Sequence, residues 1–167
     1  TYFGYSDNPE YIFGLNMGFE YKGFDFSMSW TGATHVSRLF EEDFTRPFNT
    51  GDAPLMKWIA DERWTEEKGQ ASKFPRLTQT NRVHNSQVSD FWVRDASYLR
   101  LKNMEIGYTL NANLLKKIGI QKLRLFMNGY NLFTLDHLGF IDPESKVTNK
   151  NKYPNTRIYN FGVNVNF

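Results

Sequence analysis

Side chains that could carry out acid–base or metal chemistry are few and widely separated in this chain. The three histidines, His35, His84 and His137, lie in different regions and show no metal-ligand spacing. Cysteine is absent, which excludes disulfides, thiolate metal sites and cysteine nucleophiles together. The sequence therefore predicts no catalytic centre, no metal site and no cofactor, and we do not expect an enzyme.

Clustered acidic residues are the next candidates, but each cluster has a simpler interpretation. Glu41-Glu42-Asp43 and Asp61-Glu62 are expected to be solvated charges on a loop or helix surface. Asp142-Pro143-Glu144 could contact a cation, although Asp-Pro more commonly begins a turn. The net charge is only +2 and the basic residues are scattered, so no strong field favours nucleic acid as a partner.

Aromatic and arginine residues between positions 44 and 94 suggest a different chemistry, the stacking of a ligand on flat rings. The candidates are Trp58, Trp64, Arg46, Trp92 and Arg94. Aromatic platforms flanked by hydrogen-bonding groups suit sugars or peptides. The alternative, which we favour for Trp58 and Trp64, is that these rings pack a small core within the region itself.

Strict alternation of apolar and polar residues identifies the elements that must carry these side chains. Residues 11–21 place tyrosine, phenylalanine, leucine and methionine on one face and mostly glycine and asparagine on the other. Residues 24–33 repeat the pattern after a Lys22-Gly23 turn signal, so the two segments predict a long hairpin. Further strands are predicted at about 97–110, 121–135 and 156–167. Within the first of these segments the alternation of apolar and polar residues shifts by one position, which indicates a bulge near Lys102.

The connections between these strands alternate between short and long. Segments of about 34–96 and 136–155 are predicted as long loops, and Ala53–Trp64 within the first has helical spacing. Strands of about ten residues with one apolar face, short turns on one side and long loops on the other are typical of a transmembrane barrel. A soluble antiparallel β-sandwich that binds a ligand is the alternative, because alternation alone does not separate the two.

The closing segment, RIYNFGVNVNF, shows the two faces most clearly. Five apolar residues share one face, and the other face carries mainly asparagine and glycine. In a barrel, the apolar face would meet lipid and the other would line the lumen. The residues predicted to face lipid are Tyr159, Phe161, Val163, Val165 and Phe167.

Several stretches resemble the C-terminal part of SusC/RagA-type TonB-dependent outer-membrane transporters. They are NPEYIFGLNMGFEYKGFDFSMSWTG, DERWTEEKGQASKFPRLTQ, FWVRDASYLRLKNMEIGYTL, LRLFMNGYNLFTL and YPNTRIYNFGVNVNF. They cover almost the whole chain in the order that the family shows. Lys68 is a small departure, since the family commonly has asparagine there.

The resemblance implies an all-β fold, namely the last five or so antiparallel strands of a barrel of about 22 strands. It implies one long extracellular loop containing a short helix, a periplasmic C-terminus and a terminal aromatic residue that serves as an insertion signal. The implied function is active import of glycans or peptides across the outer membrane of a Gram-negative, Bacteroidetes-like bacterium. The implied partners are TonB, a SusD-like surface lipoprotein, outer-membrane lipid and the oligosaccharide or peptide substrate. The five aromatic and arginine candidates would contact the substrate or the lipoprotein lid.

The family's plug domain, its TonB box and the N-terminal part of its barrel have no counterpart in these residues. Five strands would leave two unpaired edges in lipid, which membranes do not tolerate. We therefore expect the chain to work with the remainder of a barrel and plug. That remainder is expected either in the same longer polypeptide or in separate chains.

Overall fold

The structure is a computed structural model, and it describes residues 4–40, 55–78, 83–110, 119–145 and 155–167. Its contacts divide the chain into two units. The loop unit comprises Thr1–Asn8, Val36–Ala96 and Leu138–Pro154, and the sheet unit comprises Pro9–His35, Ser97–His137 and Asn155–Phe167.

Seven strands and four short helices are formed by the described residues. In chain order the strands are β1 Tyr11–Tyr21, β2 Phe24–Thr34, β3 Ser37–Leu39, β4 Val93–Asp95, β5 Tyr98–Thr109, β6 Lys122–Asp136 and β7 Ile158–Asn166. The helices are α1 Lys57–Glu62 and three 3-10 turns at Gly69–Ala71, Val83–Ser86 and Asp90–Trp92. Among the described residues, no helix combines the length and apolar character needed to cross a membrane.

The sheet unit is one antiparallel sheet in the order β1-β2-β5-β6-β7. The predicted all-β class and five antiparallel strands are confirmed, and each strand lies within about two residues of a predicted segment. The β1–β2 turn consists of Lys22 and Gly23, with φ of 49° and 87°. Left-handed φ at both central residues gives a turn whose twist matches that of the flanking strands, and glycine adopts it without steric cost.

A bulge interrupts the register in the middle of the sheet, where the phase of β5 changes. Ser29 and Trp30 are adjacent on β2, yet they pair with Asn103 and Leu101, so the register passes over Lys102. On β6 the same interval holds two residues, because Asn103 pairs with Tyr130 and Leu101 with Phe133. The bulge predicted near Lys102 is therefore confirmed.

The loop unit has a small hydrophobic core of its own. The strand pair β3–β4 lies beside it, with Ser37 opposite Asp95 and Leu39 opposite Val93. Its buried members are Val36, Phe40, Ile59, Phe74, Trp92, Ala96 and Leu138. The core thus joins residues from both predicted loops, 34–96 and 136–155.

The helix predicted over Ala53–Trp64 is too long at both ends. α1 begins only at Lys57, after an extended Met56 with φ −72° and ψ 139°. α1 stops at Glu62, and Arg63 is extended with φ −67° and ψ 158°. Arg63 forms a parallel bridge with Phe74, and the Trp64 amide donates to the Phe74 carbonyl at 2.9 Å. This pairing with a segment ten residues downstream overrides the helical spacing, and Ala53 and Pro54 lie outside the described residues.

Candidate functional site

The sheet unit presents one face that is apolar across all five strands. The cross-strand row Phe19, Phe26, Ile106, Met127 and Phe161 follows directly from the register of the four strand pairs. Rows on either side repeat the pattern with tyrosine, phenylalanine, methionine and leucine. Most of these side chains are exposed, and Phe161 is 79% exposed. Such a continuous apolar surface requires an apolar environment, because water makes its exposure unfavourable.

The closing strand adds the predicted residues to this face. Tyr159, Phe161, Val163 and Val165 lie opposite Gly129, Met127, Leu125 and Leu123 of β6. All of the predicted side chains are exposed, and Phe167, just beyond β7, is 82% exposed. The arrangement brings these residues onto one surface, while their contact with lipid stays a prediction.

The opposite face carries a hydrogen-bonded chain of polar side chains, here called the polar ladder. Its centre is Arg124, whose Nε donates to Asp25 Oδ2 at 3.0 Å and whose Nη2 donates to Asp25 Oδ1 and, at 2.6 Å, to Glu105 Oε1. Asn128 Nδ2 donates to Glu105 Oε2 at 3.2 Å, and Asn160 Nδ2 donates to Asn128 Oδ1 at 2.9 Å. The ladder links β2, β5, β6 and β7, and at its centre one guanidinium joins two carboxylates.

Gly107 makes the centre of the polar ladder sterically feasible. A Cβ added there would meet the guanidinium of Arg124 and both carboxylate oxygens of Asp25. Glycine therefore lets the three charged groups of β2, β5 and β6 converge above the backbone of β5.

A cleft of about 480 Å³ opens on the loop unit and is lined by four aromatic rings. Phe74 and Trp92 belong to the buried core, Trp92 being 3% exposed, whereas Trp64 and Phe91 are 36% and 42% exposed. The Trp92 indole donates to the Asn85 carbonyl at 2.9 Å, which fixes the buried ring. We call this feature the Trp64–Phe91 cleft, after the two rings that reach solvent.

Short turns shape one wall of the Trp64–Phe91 cleft. The Gly69 amide donates to the Thr65 carbonyl at 2.9 Å, and Ser72 Oγ donates to the Gly69 carbonyl at 2.8 Å. Gly69 has a φ of 50°, a left-handed value that glycine tolerates. The chain therefore reverses between Trp64 and Phe74 and places both rings in one cleft.

Polar side chains complete the lining. They belong to Gln70, Ser72, Arg76, His84, Asn85 and Ser89. None of the described lining residues is acidic.

Arg94 contacts Phe91, one of the two exposed rings of the Trp64–Phe91 cleft. Its guanidinium carbon lies 5.5 Å from the centroid of Phe91, and its Nη1 donates to the carbonyls of Phe91 and Val93. Burial lowers the pKa of Arg94, because desolvation disfavours the charged form. Arg94 does not line the cleft, so its contribution is to hold Phe91 in place.

The two remaining candidates, Trp58 and Arg46, are not among the described residues that line the Trp64–Phe91 cleft. Trp58 stacks on Phe140 with 3.9 Å between ring centroids and contacts Phe74 at 5.3 Å, so it packs against the core. Arg46 lies outside the described residues. The structure thus brings Trp64 and Trp92 together, with Arg94 in contact with Phe91, and leaves Trp58 in the packing role.

The histidines and acidic residues considered from the sequence are placed apart. His35 Nδ1 lies 3.0 Å from Glu10 Oε2 at the open end of the β1–β2 hairpin, while His84 lines the Trp64–Phe91 cleft. Asp61 pairs with Lys57 within α1, and Asp142 Oδ1 accepts from the Glu144 amide at 3.0 Å as expected for a turn. Glu41-Glu42-Asp43 lies outside the described residues. No group of three acidic or histidine side chains within the described ranges could hold a metal ion.

Sequence reasoning missed Phe91, Gln70 and Asn85 as cleft residues. Arg76 is one of the arginines of the aromatic and arginine region between positions 44 and 94, but it was not among the five candidates. The signal available was the stretch DERWTEEKGQASKFPRLTQ, which contains Trp64, Gln70 and Arg76 within thirteen residues. Nothing local connects that stretch with Phe91, because the contact depends on how the loop unit closes.

Comparison with known proteins gives a consistent family. No family model matches the chain. TonB-dependent receptor P3 of Formosa agariphila is 30% identical, with the match covering 95% of this chain and 16% of that receptor. TonB-dependent receptor P26 of the same organism is 28% identical, covering 95% of this chain and 17% of that receptor.

Solved structures of the RagAB peptide importer share the fold. In its open-open state the match has a TM-score of 0.72 and 25% identity, covering 98% of this chain and 18% of the importer chain. In its closed-closed state the match has a TM-score of 0.70 and 24% identity, and it covers 96% of this chain and 18% of the importer chain.

The chain spans less than a fifth of the length of the relatives it matches. Those relatives are receptors and importers, which confirms that the chain is not an enzyme and implies an outer-membrane protein. The resemblance seen in the sequence is thereby confirmed. On its residues, its fold and these relatives, the chain is similar to a segment of the TonB-dependent receptors of the SusC/RagA type.

Proposed function

We propose that this chain is the C-terminal barrel segment of a TonB-dependent importer of glycans or peptides in the outer membrane of a Gram-negative, Bacteroidetes-like bacterium. The observation that carries the proposal is the two-faced sheet. One face exposes apolar side chains along every strand, and the other holds the polar ladder. A lipid-facing and a lumen-facing surface on the same strands is the design of a membrane barrel.

The orientation follows from the family resemblance and from the loop lengths. The C-terminus after Phe167 lies in the periplasm, as does the Lys22-Gly23 turn. The long loops of about 34–96 and 136–155, which follow β2 and β6 along the chain, then lie outside the cell. Phe167 on the lipid side serves in the signal for barrel insertion.

The partners of the proposed importer lie mainly outside this chain. Edge strands β1 and β7 pair with the remainder of the barrel, because neither edge is tolerated in lipid. A plug and TonB act through the N-terminal part. A SusD-like lipoprotein covers the extracellular mouth, and the likeness to the RagAB peptide importer supports a peptide as one substrate class.

The test is to isolate the native protein and determine where and how it is folded. We expect it in the outer-membrane fraction, extracted only by detergent, with a gel mobility that changes on boiling. Intact mass and peptide mapping upstream of Thr1 should give several times 19.6 kDa if one polypeptide forms the barrel. Recovery of a folded protein without detergent would support the β-sandwich alternative and refute the proposal.

The lipoprotein partner needs a separate measurement. The detergent-extracted protein should co-purify with a lipidated surface protein, and labelling of intact cells should reach both. Purification of the folded barrel without any lipoprotein, from cells under mild extraction, would contradict this part of the proposal.

A further inference from the structure

The Trp64–Phe91 cleft contains hydrogen-bonding side chains that the loop unit itself does not use. Within the described residues, the side chains of Gln70, Arg76 and Asn85 make no hydrogen bond or ion pair. Gln70 and Arg76 are exposed and Asn85 is half-buried, so their donors and acceptors are reached by solvent beside the exposed rings. Polar groups of this kind in a cleft lined by aromatic rings can orient a ligand.

The charge of the Trp64–Phe91 cleft favours an anion. Arg76 is exposed and is permanently cationic, while the described lining contains no carboxylate. A guanidinium binds a carboxylate or sulfate through paired N–H donors, so charge and geometry act together there. A cationic ligand would find no counter-ion in this lining.

The shape of the lining favours a sugar over a peptide. Peptides are recognised by main-chain hydrogen bonds along a strand edge, in helical or aromatic-lined grooves, or by arginine clusters. The described lining of the cleft includes no residue of a named strand and only one arginine, and its two exposed flat rings, Trp64 and Phe91, have side-chain amides from Gln70 and Asn85 beside them. Flat rings with amide groups beside them match the apolar face and the hydroxyl groups of a pyranose.

We propose that the Trp64–Phe91 cleft binds an acidic oligosaccharide, with a sugar ring stacked on Trp64 or Phe91 and its carboxylate or sulfate held by Arg76. This inference rests on the proposed import function, because it names the substrate class taken at the outer mouth. Arg94 acts as a positioning residue, since it contacts the Phe91 ring without lining the cleft.

The experiment uses the full-length receptor in detergent on an array of oligosaccharides and peptides. The array carries uronate-containing, sulfated and neutral oligosaccharides of matched length, together with short peptides. We expect binding to acidic sugars, and whether uronates or sulfated sugars dominate identifies the anionic group. Trp64→Ala should weaken this binding about tenfold through the lost stacking contact.

Arg76→Gln gives the sharper result, because its effect must depend on salt. For wild type, affinity for the acidic sugar should fall as sodium chloride rises, since salt screens exposed charges. In Arg76→Gln the affinity should be lower at low salt and almost independent of salt, and Arg76→Lys should restore part of it. Lys57→Gln removes another exposed cation of the loop unit outside the cleft and is the matched control.

Two outcomes would overturn this inference without touching the proposed function. One is equal binding of neutral and acidic sugars, or binding of peptides alone. The other is acidic-sugar binding that Trp64→Ala and Arg76→Gln leave unchanged. Heat-dependent gel mobility of every variant is measured in parallel, so that a failure of barrel assembly is recognised separately.

Discussion

Arg124 is expected to be the residue on which the polar face of the sheet depends most. Arg124→Gln removes the guanidinium that joins Asp25 on β2 to Glu105 on β5, and it leaves two neighbouring carboxylates with no cation between them. The remaining links of the polar ladder, from Glu105 to Asn128 and Asn160, stay in place. The substitution therefore tests the charged centre and not the whole ladder.

The expected cost follows from three charge-assisted hydrogen bonds. The side chains are 19%, 25% and 33% exposed for Arg124, Asp25 and Glu105, so solvent screens them only in part. Fully buried bonds to charged groups contribute about 1.5–3 kcal/mol each, and exposed ion pairs about 0.2–1 kcal/mol. If each of the three bonds contributes a value near the upper end of the range for exposed ion pairs, Arg124→Gln should lower the free energy of unfolding by about 2–3 kcal/mol.

The assay is a urea titration of the full-length protein in lipid vesicles, with the folded fraction measured by heat-dependent gel mobility. Arg157→Gln removes an exposed arginine just before β7 and is the matched control. The double variant Asp25→Asn, Arg124→Gln should recover about 1 kcal/mol relative to additive behaviour, because it also removes one stranded carboxylate. Additivity within about 0.3 kcal/mol, or an Arg124→Gln cost equal to that of Arg157→Gln, would refute the reasoning.

Three further predictions concern lipid contact, the bulge and the loop core. If the face of Phe161 meets lipid, Phe161→Arg should lower the free energy of unfolding by about 2–4 kcal/mol in the same vesicle titration. Asn164→Arg on the opposite face should lower it much less, and equal losses for the two variants would contradict the assignment of the faces. Deletion of Lys102 should leave outer-membrane assembly intact, because Leu101 and Asn103 would then lie side by side opposite Trp30 and Ser29 and keep their faces. Deletion of Ile106 should abolish assembly, because it turns Asn103 and Glu105 onto the apolar face, and equal behaviour of the two deletions would contradict this register. Ile59→Ala should destabilise the loop unit by about 2–5 kcal/mol. The expected readout is faster proteolysis within the loop unit while the gel mobility of the folded barrel stays the same. An unchanged rate of proteolysis would argue against a core at Ile59.

The strands could be predicted from the sequence because their information is local. Alternation with period two is written directly into β1, β2 and β7, and the phase change of β5 reveals the bulge at Lys102. The faces of β6 are less regular in sequence, since the register there passes over two residues after Tyr130. Local pattern therefore predicted the strands and the β1–β2 hairpin, but not the register between the other strands.

The elements that sequence reasoning missed depend on contacts between distant residues. The C-terminal end of α1 is set by pairing between Arg63 and Phe74, which overrides a helical spacing that continues to Trp64. The polar ladder requires knowing that Asp25 and Arg124, 99 residues apart, meet across an intervening strand. Neither follows from composition or periodicity.

The unequal residue count at the bulge has a mechanical consequence for the sheet. Between the same two paired rows, β2 has no intervening residue, β5 has Lys102, and β6 has Asn131 and Leu132. Asn131 has a φ of 53°, so the extra residues of β6 leave the extended path and do not lengthen the strand by a full step each. An extra residue on one strand bends that strand and increases its local twist. Because the excess grows from β2 through β5 to β6, we expect the strongest bending on β6, between Tyr130 and Phe133.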